Sequence, residues 1–228
     1  MKKLIMLLLP VLLVYSCRKV DSNDLKDDVP YYQSYSVIYD KVANNVNVSG
    51  FCRVRDASGT KVQFSSGAGL TANGATPSVD IFDKAIYRWN FNSIQDVNFV
   101  LSKNSGTKIN NTVTLSDISN SDFGTGFPTT VSKASGFSFN FTGDALTGSE
   151  SLTINIAADS GTKEKILTQL NTGNTVNISA SDLQGLKTGN LNITMTRENY
   201  LPLDNKDGTA GGTILMRYIV KRAATLTP

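Results

Sequence analysis

The sequence predicts an all-β protein built of antiparallel sandwiches, on three observations. Apolar residues recur with period two, helical periodicity is nearly absent, and Gly, Asn and Ser cluster between the alternating runs. Many short strands separated by such turns argue for sheet packed on sheet, with Greek-key connections.

Taken in chain order, the first segment is not part of that fold. Lys2 and Lys3 precede an apolar stretch from Leu4 to Val14, and Ser16-Cys17 closes it. The run is too short to span a bilayer comfortably and has the anatomy of a secretory signal peptide over residues 1–16. A small residue just before a cysteine, at the end of an apolar stretch, resembles the lipobox of bacterial lipoproteins. That resemblance implies lipidation of Cys17 after cleavage before it, and so a membrane partner reached through acyl chains. Tyr15 is bulkier than the residue a lipobox usually carries there. Residues 17–30 then read as the lipidated cysteine and a solvated tether, because RKVDSNDLKDDVP mixes charges with little apolar content. Within it Lys26-Asp27-Asp28 resembles a surface-export signal of Bacteroidota-type lipoproteins, displaced downstream. The expected location is the outer membrane, facing the periplasm or the cell surface.

Beyond the tether, the alternating sets are Val46/Val48, Val62/Phe64, Tyr87/Trp89/Phe91, Val97/Phe99/Leu101, Phe137/Phe139/Phe141, Leu152/Ile154/Ile156, Leu191/Ile193/Met195 and Ile214/Met216/Tyr218/Val220. Each is the inward half of a strand. Only Lys163–Leu170 is expected to make helical turns, since Thr188 and Gly189 stop any extension of Ser181–Leu186. Gly, Pro and Thr concentrate at 122–130, which predicts a linker between an N-terminal sandwich (31–121) and a C-terminal one (131–228), each of immunoglobulin-like size. One larger sandwich with 122–130 as an internal loop is the alternative.

The second half carries a further resemblance. Ser181-Asp182-Leu183, Leu186, Gly189, the strand to Arg197 and Gly211-Gly212 before the strand with Tyr218 look like the ending of uncharacterised Bacteroidota-type lipoproteins thought to be immunoglobulin-like. The resemblance implies a fold and no activity.

Composition removes much of the catalytic repertoire. Without histidine there is no imidazole base, His-containing triad or His-ligated metal. Without the leader, 20 basic residues face 19 acidic ones, and the net charge of +3 falls to +1. Nothing there suggests nucleic-acid binding. Cys52 has no partner once Cys17 is lipidated, and shares a strand face with Val46, Val48 and Val54, as a buried thiol would. No cofactor or metal is called for.

Four motifs invite chemistry. Ser-Gly-Thr-Lys recurs at Ser58–Lys61, Ser105–Lys108 and Ser160–Lys163, with Lys187-Thr188-Gly189 downstream, the letters of serine-lysine hydrolases. The lysine must lie one helical turn after the serine, whereas strand-like residues follow the first two copies. Hairpin turns are the better expectation, with the hydrolase a remote alternative. Gly67–Ala72 matches a dinucleotide loop, yet Asn73-Gly74 turns the chain where a helix is needed. Asp204–Gly208 resembles half a calcium loop with Leu203 in the first ligand position; a polar turn fits better, leaving a calcium site open. Finally, Trp89 lies among Tyr87 and Phe91 on one face of a strand, and Arg88, Asn90 and Asn92 lie on the other. Trp89 is expected as a core anchor, or else as a sugar-stacking platform; Arg88, Trp89, Asn90 and Asn92 are the candidate ligand residues. The expected role is non-catalytic, a binding or scaffolding module for a glycan or an envelope protein.

Overall fold

Ten consecutive residues of β2 (Tyr31–Asp40) alternate between buried and half-buried, and β3 (Asn45–Val54) pairs with it antiparallel along its whole length, Tyr31 opposite Val54 and Asp40 opposite Asn45. The computed structural model describes residues 19–168 and 173–228. Among them helical geometry is confined to three 3-10 turns, at Ser22–Asp24, Leu115–Asp117 and Ser181–Leu183. The protein is an all-β sandwich.

One broad sheet organises it. From one edge it runs β1 (Lys19–Asp21), β4 (Lys61–Gln63), β3, β2, β16 (Gly212–Thr227), β15 (Gly189–Leu201), β12 (Glu150–Ala158) and β13 (Gly161–Thr168). Three short strands join it from the side: β6 (Ser78–Val79) pairs with β7 (Tyr87–Phe91), β7 with β3, and β10 (Thr130–Ser132) with the tail of β16. Register keeps the inward set continuous across the sheet. Tyr35 stands beside Ile214 and Ile214 beside Leu201; Val37 stands beside Met216; Leu152 stands beside Arg197 and Ile154 beside Met195. Paired residues share a face, so a single face of the broad sheet is buried.

Two smaller sheets contribute to that core. The first is β5 (Gly69–Ala72), β8 (Val97–Ser102) and β9 (Lys108–Val113), whose Phe99 stacks on Tyr35 with ring centroids 4.1 Å apart. The second is β11 (Phe137–Asn140) with β14 (Thr175–Ile178), which contributes Phe139, Val176 and Ile178 to the same apolar cluster as Ile154, Ile193 and Val220. Residues 122–130 do not hang between independent bodies: Phe123 is buried and packs on Phe127 and Phe139, and β16 carries the sheet from one half into the other.

Loops close the core through a buried ion pair. Arg197 continues the inward parity of Leu191, Ile193 and Met195, and its guanidinium is 1% exposed. Nε and Nη2 donate to the two carboxylate oxygens of Glu150 at 2.8 and 2.6 Å, while Nη1 donates to Ser121 Oγ and the Asp144 carbonyl. Thr147 adds its N–H and hydroxyl to Glu150. Burial disfavours the charged carboxylate, but these donors outweigh it and hold the Glu150 carboxyl below its usual range.

Two sequence expectations are corrected here. Residues 19–30 are no free tether: β1 pairs parallel with β4, Ser22 is buried, and Val20, Leu25 and Val29 pack on the core. Their charges are accommodated at the rim, where Ser65 Oγ donates to Asp21 and Lys19 meets Asp83. The helical turns expected over Lys163–Leu170 are strand β13 as far as Thr168, because antiparallel pairing with β12 overrides a short local pattern.

Removing one partner of the buried pair leaves the other charge without compensation. Arg197→Ala is expected to lower unfolding free energy by about 3–5 kcal/mol in urea titrations, and Arg197→Leu with Glu150→Leu to recover most of that loss.

Candidate functional site

Strand β7 sorts the candidate residues onto two faces. Trp89 lies opposite Val48 and is only 6% exposed. Its indole N–H donates to the Ala75 carbonyl at 2.9 Å, and Phe99 meets the ring edge-on. The tryptophan is therefore core, as a strand Trp with its polar edge satisfied should be. Arg88 and Asn90 face outward. Arg88 forks onto one Asp80 carboxylate oxygen at 2.9 and 3.1 Å, and Asn90 donates to Asn47, whose own amide donates to Asn45. Asn92 is exposed just beyond the strand. The structure thus brings Arg88 and Asn90 into one exposed polar row and separates Trp89 from it. Cys17 lies outside the described residues.

The motif residues are engaged in turns. All three Ser-Gly-Thr-Lys copies form hairpin connections, between β3 and β4, β8 and β9, and β12 and β13. Ser58 Oγ donates to Asp56 and Ser105 Oγ to Thr107, while Ser160 Oγ accepts the Lys187 N–H. Gly106 sits at φ +83°, the left-handed position that favours glycine. Gly69–Ala72 is strand β5, with no phosphate-binding helix after it. Burial raises the Cys52 thiol far above its ordinary range, so it is inert filling.

The Asp204–Gly208 turn has a structural occupation. Asp207 accepts Lys103 Nζ at 3.0 Å and the Tyr31 N–H at 2.8 Å, and Asn205 exchanges hydrogen bonds with Asn111. Lys103 is nearly buried, also donates to the Val29 carbonyl and lies over the Tyr31 ring. The turn caps the first sandwich half, and the cation beside its carboxylate is a lysine.

A feature missed at the sequence level projects from the loop between β6 and β7. Ile81 is 82% exposed and Phe82 89%, with Val79 half in solvent. The loop is fixed from beneath. Asp80 accepts the N–H groups of Phe82 and Asp83, and Asp83 accepts the Ala85 N–H, Lys61 Nζ at 2.6 Å and Lys19 Nζ at 3.0 Å. A groove of about 490 Å³ is lined by Ile81, Phe64, Val79, Tyr87 and Lys84. The legible signal was an adjacent apolar pair between two turn-forming aspartates, Asp80 and Asp83.

No protein-family model matches the chain, and no curated protein does. Among solved structures the chain is similar to the tetra-tandem repeat in the extending region of a large adhesion protein, at 13% identity with a TM-score of 0.30. The match covers 86% of this chain and 49% of that one, so the chain spans about half the length of its match.

The Asp83 latch makes a pH-dependent prediction. Burial opposes its charge, but Lys61, Lys19 and the Ala85 N–H prevail and hold its carboxyl at about 2. That is below an unfolded value of about 3.9. The latch therefore stabilises fully above the unfolded value and is lost as pH falls through about 2. Asp83→Asn is expected to lower urea stability at pH 7, with the gap to wild type closing as both are titrated toward pH 2.

Proposed function

We propose that the chain is a lipid-anchored, non-catalytic envelope module that binds or scaffolds a partner at the outer membrane of a bacterium. The leader with Ser16-Cys17 supports the anchor. The observation that carries the non-catalytic part is the use made of the chemically suggestive groups. The serines of the repeated motif serve hairpin turns, Lys103 with Asp207 and Arg197 with Glu150 hold loops onto sheets, and Cys52 is sealed. Each is committed to holding the fold.

In this reading the protein is a rigid β platform, and Arg88, Asn90 and Asn92 offer hydrogen-bonding groups to a glycan or an envelope protein. Two or three acyl chains, at about 0.8 kcal/mol per buried methylene, hold it durably. Anchoring is tested by metabolic labelling with palmitate in a bacterial host. Wild type is expected to incorporate label and sediment with membranes, and Cys17→Ser to lose both. A variant still membrane-bound and labelled would remove the anchor from the reading.

A further inference from the structure

The exposed apolar tip at Ile81 and Phe82 lies at the same end of the molecule as the start of the described chain. β7 runs antiparallel to β3, so the loop preceding Tyr87 lies toward the Cys52–Val54 end, where Lys61 stands opposite Arg53 and Lys19 opposite Lys61. Asp83, the residue after Phe82, joins the two lysines directly. Cys17 precedes Lys19 by two residues, which span at most about 7 Å. Each headgroup layer of a bilayer is about 6 Å thick, so an anchor that close brings this end of the protein into that layer.

We propose that Ile81 and Phe82 insert into the headgroup and acyl boundary of the anchoring membrane, forming with lipidated Cys17 a two-point contact that fixes the orientation of the sheet. This rests on the anchoring reading above. Water is the costliest neighbour for two adjacent apolar side chains, and the Asp80 and Asp83 turns prevent the loop from folding them away. Charge agrees with an anionic surface. Four cations, Lys19, Lys61, Lys84 and Arg88, lie around the tip against three carboxylates, Asp80, Asp83 and Asp21, which faces Tyr87. An apolar tip ringed by net positive charge is the chemistry of a membrane-surface contact.

The test uses the full chain, processed in a bacterial host and reconstituted in vesicles of phosphatidylethanolamine and phosphatidylglycerol. Phe82→Cys carries an environment-sensitive fluorophore; Cys52 is fully buried, so it does not compete for label. The comparison site is Val42→Cys, exposed in the turn between β2 and β3, at the far end of strands about 30 Å long. The Phe82 probe is expected to shift to the blue on reconstitution and to be quenched by spin-labelled lipid several-fold more than the Val42 probe. Equal, weak lipid quenching at both sites, in protein whose Cys17 acylation is verified by mass, overturns the insertion and leaves the anchor standing. A Phe82 probe shielded from iodide yet untouched by the lipid quencher assigns the tip to a protein contact and also overturns it. An unacylated Cys17 in protein that washes off membranes removes the anchoring reading, and the insertion with it.

Discussion

The architecture depends on β16 having both edges occupied. Sixteen residues long, it pairs antiparallel with β15 on one side, and on the other in parallel with β2 first and β10 later. Apart from 220–224 on that second edge, its backbone is laddered on both sides, so its neighbours are obligatory. Each neighbour brings its own half of the core, one with the Tyr35–Phe99 stack and one with the Phe139–Val176 group, and the two cannot part without breaking a ladder.

Charge is placed where loops must be kept on this sheet. Arg197 with Glu150 fastens the segments around Ser121 and Asp144, Lys103 with Asp207 fastens the turn over the first half, and Asp83 fastens β1 and the β6–β7 loop. All three stand at closures that apolar contact alone would leave imprecise, because a hydrogen-bonded pair fixes direction as well as distance. The same economy engages residues that look reactive as letters: Ser58, Ser105 and Ser160 hold turns and Cys52 fills the core.

Much of the fold was legible because alternation is a direct consequence of a half-buried sheet: Tyr87/Trp89 and Leu152/Ile154/Ile156 point inward as their spacing required. The triple Ser-Gly-Thr-Lys repeat was legible as hairpins too; Gly106 and Gly161 take the positive φ expected of the turn glycine, whereas Gly59 does not. Residues 19–30 were not, because three residues of β1 are too few to show a period and their charges meet partners far along the chain, Lys19 an ion pair with Asp83 and Asp21 a hydrogen bond from Ser65. Nor was Arg197's role, although its inward parity requires a carboxylate and Glu150 is one of only three glutamates. At the candidate site, sequence parity separated Trp89 from Arg88 and Asn90 correctly, but the prominence of Ile81 and Phe82 depends on how the Asp80 turn is aimed, which no local pattern encodes.

The parallel pairing of β2 with β16 also bears on when the protein can exist. Gln33 must wait for Gly212, so the first sandwich half keeps an open edge until β16 is present. Contacts of such sequence separation form late and slowly. Until β16 is present, β2 is an edge strand, and an unpaired edge is open to pairing with another chain.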